Sequence, residues 1–180
     1  MNTPTPAILV TYGSRHGATA GIAEEIADAL REDGFAPAVV PAREVTDVTP
    51  YDAVVIGGSL HAGHWNHDAL RCARRNAAAL AERPVWFFSS GPLDTTAEQE
   101  DLAPVPGAAH AMAQVHARGH VTFGGCVTAD TPGVVARVLV RSGRAGDFRN
   151  PPRIRRWAHR VAGELRAHPG PAAAPDHADA

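Results

Sequence analysis

The sequence contains no lysine, only two cysteines and no apolar run of the about 20 residues that a membrane-spanning helix needs. Without lysine there is no Gly-Lys-Ser/Thr, so the phosphate-binding loop of nucleotide-hydrolysing enzymes is excluded. Cys72 and Cys126 form no Cys-x-x-Cys pair, and isolated cysteines of this kind are usually reduced, buried side chains. Residues 1–4 provide no basic region leading into an apolar core, so we expect no export signal and a cytoplasmic protein.

Charge is distributed unevenly along the 180 residues. The net charge is -2, but residues 134–168 contain nine arginines against Asp147 and Glu164, which gives +7 there and -9 elsewhere. Such a dipole can steer an anionic partner, although a solvated arginine-rich helix face would give the same pattern. We expect one domain over residues 1–167 and a disordered Pro-, Ala- and Asp-rich tail over 168–180.

Apolar runs alternate with segments of helical periodicity. Strands are predicted near 7–12, 35–40, 51–58, 84–90 and 120–125, and helices near 18–33, 66–80 and 151–166, with a short helix within 91–118. This alternation predicts an α/β three-layer sandwich with a five-stranded parallel sheet in the order 2-1-3-4-5. A crevice should open at the carboxyl ends of strands 1 and 3, where residues 13–19, 58–65 and 90–96 would meet.

The first of these loops joins a strand to a helix and is rich in glycine and hydroxyl groups. The first amides of a helix have no partner within the helix and point at the preceding turn, which makes a phosphate site. Gly13 and Gly17 would let the backbone approach an anion closely, while Ser14, Thr19 and Arg15 add donors. Composition alone also fits an ordinary strand-to-helix turn.

The order of residues is more specific than the composition. Ser14, Gly17 and Thr19 form hydroxyl-x-x-Gly-x-Thr, which resembles the flavodoxin loop that wraps the phosphate of FMN. The fuller Tyr-x-Ser-Arg-x-Gly-x-Thr is similar to the flavodoxin-domain family that includes menaquinone-dependent protoporphyrinogen oxidase. Gly-x-Ser-x-x-x-Gly-His-aromatic over residues 57–65 is similar to the next loop of the same family. His16 departs from flavodoxin proper, where a second hydroxyl is usual.

The resemblance implies a flavodoxin-like fold with FMN as cofactor. The residues implied to bind it are Ser14, Arg15, His16, Gly17, Ala18, Thr19, Ser59, Leu60, His61, Gly63, Trp65, Ser90, Gly91 and Pro92. Trp65 would either cover the flavin ring or pack the following helix on the sheet, and the histidines of this loop would either contact the cofactor or lie on the surface. We expect no metal, because no carboxylate or cysteine completes a recognised spacing with those histidines.

Two functions compete, and the sequence assigns no catalytic residue to either. The first is an FMN-dependent oxidoreductase acting on a quinone, a porphyrinogen or a similar planar substrate. The second is a flavodoxin-type carrier that passes electrons between protein partners, and a fold that has lost FMN and serves as an interaction module is a third reading. Residues 89–96 lack the aromatic that flavodoxins place against the ring, and the near-neutral charge differs from that of acidic carriers. Both features favour the enzyme.

The connector 127–150 contains a further amphipathic stretch. Val134, Val135, Val138 and Leu139 are predicted to form one helical face, with Arg137, Arg141 and Arg144 elsewhere around the helix. The helix would either pack its valines on the sheet edge or form a lid whose arginines receive an anionic substrate such as a porphyrin propionate. The apolar stripe is short, so at most weak contact with a membrane surface is expected, and no nucleic-acid partner.

Overall fold

A computed structural model describes residues 5–15, 17–99, 101–128, 131 and 133–170. The predicted tail, 168–180, lies mostly outside the described residues, as does His16. Within them the chain forms a parallel sheet covered by helices on both faces, with a smaller two-stranded sheet near one end.

Five parallel strands form the central sheet. They are β1 (Ala7–Gly13), β2 (Ala36–Pro41), β3 (Ala53–His61), β5 (Val85–Ser90) and β6 (Gly119–Phe123), and β4 (His64–Trp65) pairs antiparallel with the end of β3. The order is β2-β1-β3-β5-β6, so the predicted 2-1-3-4-5 winding is confirmed. β3 is the central strand with β1 and β5 beside it, and the apolar runs of β3 and β5 are buried because helices cover both faces.

Seven helices follow in the described residues. They are α1 (Ala18–Glu32), α2 (His67–Arg75), α3 (Ala77–Ala81), α4 (Thr96–Gln99), α5 (Pro106–Gln114), α6 (Val134–Arg141) and α7 (Pro151–Ala167). The single helix predicted over 66–80 is divided at Asn76. Its side-chain amide donates to the carbonyl oxygen of Cys72 at 3.0 Å, a local bond that competes with continued helix.

One face of the sheet is covered by α1 and α7. Ile22 and Ile26 of α1 and Trp157 of α7 belong to the core on this side, which also contains Phe88 and Phe123 from the sheet. Ionic contacts fasten the two helices at the rim: Asp33 accepts from His159 at 2.6 Å and from Arg166 at 3.1 Å. Burial raises the pKa of Asp33, but these hydrogen bonds outweigh burial and hold it below the ordinary value.

The other face is covered by α2 and α5. Trp65 belongs to the core on this side, where it stacks on Phe87 with the ring centroids 5.3 Å apart. Between β5 and β6 on the same face lies a polar pair: Ser89 Oγ and His120 Nε2 are 2.9 Å apart. Burial lowers the pKa of His120 to about 4, because the charged imidazolium is poorly solvated there.

We expect His120 to make folding sensitive to acid. Its pKa falls from 6.5 to about 4 on folding, so between these values the unfolded chain binds more protons and stability declines as pH falls. His120→Gln keeps a hydrogen-bonding group near Ser89 but does not titrate. Between pH 7 and pH 4 this variant should lose roughly 1–2 kcal/mol less stability than the wild type, after discounting for partial exposure. Urea unfolding of both proteins at several pH values measures this, and parallel pH profiles would contradict it.

Candidate functional site

A cleft of about 310 Å³ opens at the carboxyl ends of β1, β3 and β5. This is the edge at which parallel α/β sheets bind ligands, next to the point where the winding reverses. The cleft is lined by Ser14, Arg15, Ala18, Thr19, Ser59, Leu60, His61, Ser90, Gly91, Leu93, Gly125, Cys126, Val127, Gly133, Val134, Ala136 and Leu139.

The loop between β1 and α1 presents the end of a helix to this cleft. Gly17 is the N-cap of α1, with a φ of 88°, and its amide donates to Ser14 Oγ at 2.9 Å. A positive φ at this position favours glycine. No side chain caps α1, and its first turn contains no acidic residue. The partial positive charge at the helix N-terminus is therefore left available to an anion.

Thr19 lies in the first turn of α1 and lines the cleft. Its side chain is fully buried, and its Oγ1 has no hydrogen-bond partner among the described groups. Leaving a buried hydroxyl without a partner costs about 1–3 kcal/mol. An anion held by the α1 amides would supply an acceptor for this hydroxyl, so the residues present fit a phosphate group.

The second predicted loop is a β-hairpin. Residues 59–65 were expected to be irregular, but β3 continues to His61 and turns back into β4. Ala62 and Gly63 form the turn with φ values of 47° and 76°, and a two-residue hairpin turn with positive φ at both positions matches the strand twist. The hairpin brings Ser59, Leu60 and His61 to the cleft.

Trp65 does not line this cleft. The side chain is 3% exposed and packs over Gly58, where a Cβ would collide with the indole ring. Of the two roles considered for this residue, the placement favours packing over covering a ligand, because a ring stacked on Phe87 in the core has little surface left to offer.

Nine of the fourteen predicted site residues line the cleft: Ser14, Arg15, Ala18, Thr19, Ser59, Leu60, His61, Ser90 and Gly91. Gly17 shapes the first loop, and Gly63 shapes the hairpin turn, while Pro92 lies beside the cleft without lining it. His16 lies outside the described residues. His61 also borders an adjoining cleft of about 360 Å³ that contains His64 and His67. Among the described residues, no cluster of His, Cys, Asp or Glu has the grouping of a metal site.

The predicted site residues leave out one wall of the cleft, although the lid hypothesis had placed a helix there. Cys126 and Val127 of β7 line it, as do Ala136 and Leu139 of α6. β7 pairs antiparallel with β8 (Gly146–Asp147), and this pair positions the segment that carries α6. Two signals were available: Gly124-Gly125 directly follows β6 at the ligand edge, and Ala136 and Leu139 are spaced to share a helix face. Burial raises the pKa of the Cys126 thiol, so it lines the cleft as a small neutral group.

The predicted apolar face of α6 needs correction. Val134 and Val138 are 67% and 58% exposed, while Leu139 is only half-buried at the cleft. The side chain of Val135 lies outside the described part of the chain. Arg137, Arg141 and Arg144 are absent from the cleft lining. The helix lies at the cleft, as the lid hypothesis required, but it turns small apolar groups toward it because the arginines retain their hydration by facing solvent.

Comparisons with known proteins agree with this geometry. The flavodoxin domain family matches residues 9–144 of the chain. Protoporphyrinogen IX dehydrogenase (quinone) of Escherichia coli (strain K12) is 30% identical over 83 residues, 45% of this chain and 46% of the relative. The chain therefore aligns with less than half of that relative's length.

Solved structures are similar at the level of the fold. Oxidised flavodoxin 2 from Bacillus cereus has a TM-score of 0.59 with 16% identity, covering 88% of this chain and 99% of that one. Rubredoxin oxygen:oxidoreductase from Desulfovibrio gigas has a TM-score of 0.60 with 12% identity, covering 91% of this chain and 37% of that one. The fold defines a flavodoxin-like α/β protein. The chain belongs to the flavodoxin domain family, whose fold implies a bound flavin. No helix among the described residues has both the length and the apolar character needed to span a bilayer.

We predict opposite effects from two substitutions in the hairpin turn. Ala62 adopts a positive φ at a cost that glycine does not carry, so Ala62→Gly should stabilise the fold by about 0.5–1 kcal/mol. Gly63 has open space around its Cα but also a positive φ, so Gly63→Ala should destabilise by about 1 kcal/mol through backbone strain alone. Thermal unfolding measures both changes. Shifts of the same sign in the two variants would mean that the turn does not have this geometry.

Proposed function

We propose that the chain is an FMN-dependent oxidoreductase acting on a planar acceptor or donor such as a quinone or porphyrinogen. The observation that carries the cofactor assignment is the buried, unpartnered Thr19 hydroxyl beside the uncapped N-terminus of α1. A monophosphate would accept hydrogen bonds from that hydroxyl and from the first-turn amides, and Arg15 at the rim adds positive charge. Riboflavin, which lacks the phosphate, would leave these donors without an acceptor.

The rest of the cleft suits the ring system of the same cofactor. Ser59 to His61 and Ser90 to Gly91 line the cleft at the ends of two neighbouring strands, where Ser59 pairs with Ser90 and Leu60 packs against Gly91. When bound, the flavin supplies hydride or electron transfer, and the protein supplies its orientation and its electrostatic surroundings. His61 is exposed and lines the cleft, so its imidazole would be available to a polar edge of the ring.

The composition of the cleft favours an enzyme over a carrier. Its lining contains no Phe, Tyr or Trp, and the wall contributed by α6 and β7 consists of small and aliphatic side chains. A carrier shields its ring, whereas an oxidoreductase needs one face accessible to a second planar molecule. The E. coli relative is named for a porphyrinogen and a quinone, which supports this substrate class, although the matched region is less than half of that protein.

We predict that Thr19→Val will weaken FMN binding. The change removes a hydrogen bond to a charged group, worth about 1.5–3 kcal/mol, so Kd should rise roughly 10- to 150-fold. Thr11→Val is a matched control: Thr11 is also fully buried with an unpartnered Oγ1, but it does not line the cleft. Quenching of flavin fluorescence measures both affinities. Riboflavin affinity should not change in either variant, and equal losses of FMN affinity in both would remove Thr19 from the phosphate site.

The enzyme assignment is tested with the FMN-loaded chain. After anaerobic reduction, the flavin spectrum is followed by stopped flow on mixing with a soluble quinone or with an oxidised flavodoxin. We expect saturable oxidation by the quinone, because the cleft lining contains no Phe, Tyr or Trp side chain that would shield the ring from a planar acceptor. Rapid oxidation by the protein with no reaction of the quinone would assign the chain as an electron carrier. Absence of FMN binding at micromolar concentration would remove both assignments.

A further inference from the structure

The outer face of α6 exposes apolar side chains to solvent. In the part of the chain that the structure describes, the large hydrophobic residues that are exposed are Val134, Val138 and Val140, at 67%, 58% and 37%. All three belong to α6, an eight-residue helix. Exposed apolar residues scattered singly need no explanation, but Val134 and Val138 are four residues apart and therefore neighbours on one side of the helix.

Arginines share this face with the valines. Val134, Arg137, Val138 and Arg141 follow the i, i+3, i+4, i+7 spacing that places residues on one side of a helix. Both arginines are exposed, and no described carboxylate lies within ion-pair distance of either. We call these four residues the α6 outer face.

The described segment 133–146, which contains α6, has no acidic residue. Arg144 contributes a further exposed positive charge. Asp147 is itself paired with Arg149, whose Nη2 and Nε lie 2.6 and 2.8 Å from its two oxygens. The α6 outer face is therefore a locally basic surface with an apolar centre.

The position of this face connects it to the cleft. Ala136 and Leu139 of the same helix line the cleft, and Val134 belongs both to the cleft lining and to the outer face. A molecule on the outer face would therefore lie within about one helix diameter, 10–12 Å, of the cleft. Antiparallel pairing of Cys126 with Asp147 and of Val127 with Gly146 fixes both ends of the segment that carries α6.

We propose that the α6 outer face docks an acidic electron-transfer protein, which exchanges electrons with the flavin of the proposed function. Positive charge around a small apolar centre is complementary to an acidic partner surface and would steer its approach. The partner carries a one-electron centre and is oxidised by one electron for each electron the cofactor gains. A lipid surface fits less well, because interfacial helices insert Trp, Phe or Leu, and the exposed apolar residues here are valines.

The test uses the full chain, with and without FMN, and a plant-type [2Fe–2S] ferredoxin as the acidic probe. Binding is measured by calorimetry at low and at physiological salt. Arg137→Glu with Arg141→Glu should weaken binding at least about tenfold, and the wild-type affinity should fall as salt rises. Arg156→Glu with Arg160→Glu on α7 is the matched control, because these two arginines are also exposed, four residues apart and outside any ion pair with a described residue.

A second variant addresses the apolar part of the face. Val138→Ser should weaken ferredoxin binding while leaving its salt dependence unchanged, because only short-range contact is lost. If the α6 and α7 charge variants weaken ferredoxin binding equally, the loss reflects the net charge of the protein rather than the α6 outer face, and the proposal is overturned. No ferredoxin binding at low salt would overturn it as well, and binding instead to vesicles with anionic lipid would assign the face to a membrane. If the chain binds ferredoxin but does not take up FMN, the docking surface is supported and the proposed function fails.

Discussion

Close packing over three glycines holds the site together. A Cβ at Gly13 would collide with the side chain of Asn66, one at Gly58 with the indole of Trp65, and one at Gly57 with the ring of Phe88. Asn66 caps α2 through its side-chain oxygen, which accepts from the amides of Asp68 and Ala69. The start of α2 is thereby pressed against the end of β1, and the β3–β4 hairpin lies beside the first loop. A larger residue at any of these positions would force the facing side chain to move.

The same arrangement leaves hydrogen-bond donors at the start of α1 without a partner among the described residues. α1 begins at a glycine with no capping side chain, and the neighbouring Thr19 hydroxyl is buried without a partner. Helix N-termini in stable folds are usually capped by Ser, Thr, Asp or Asn, at a gain of about 1 kcal/mol. Here Ser14 Oγ accepts from the Gly17 amide alone, and the next amides remain open. A bound anion would supply acceptors for these groups, so a ligand held there would also raise the stability of the fold.

Much of the fold follows from local pattern. The runs Ala7–Val10 and Ala53–Ile56 are apolar without alternation, which indicates strands buried on both faces, and Gly34 follows the first helix where the chain must turn. The turn between β1 and α1 was also predictable, because its residues are adjacent in sequence and include Gly13 and Gly17. The hairpin at Ala62–Gly63 was not, since alanine rarely adopts a positive φ and so gave no turn signal.

The α6 wall was harder to predict for a different reason. Four apolar residues at 134, 135, 138 and 139 match a buried helical stripe, and sequence periodicity cannot say which side of a short helix faces the protein. In the structure the orientation is set by its two ends, where β7 pairs with β8 and the Phe148 amide donates to the Gly125 carbonyl at 2.9 Å. These contacts join residues about 20 apart along the chain. Trp65 was similarly ambiguous, because its burial depends on the stack with Phe87 from another strand.

The β7–β8 pair has a consequence for how this family can diverge. The pair joins the two ends of the segment 128–145 outside the central sheet. The pairing of strands in the central sheet therefore does not involve this segment. Doubling the length of a closed loop costs only about 0.6 kcal/mol. Insertions and deletions in this segment are therefore expected to cost little stability, because residues 13–19 and 58–65 lie outside it. Selection could therefore change this wall of the cleft, and with it access to the cleft, without rebuilding the loops that follow β1 and β3.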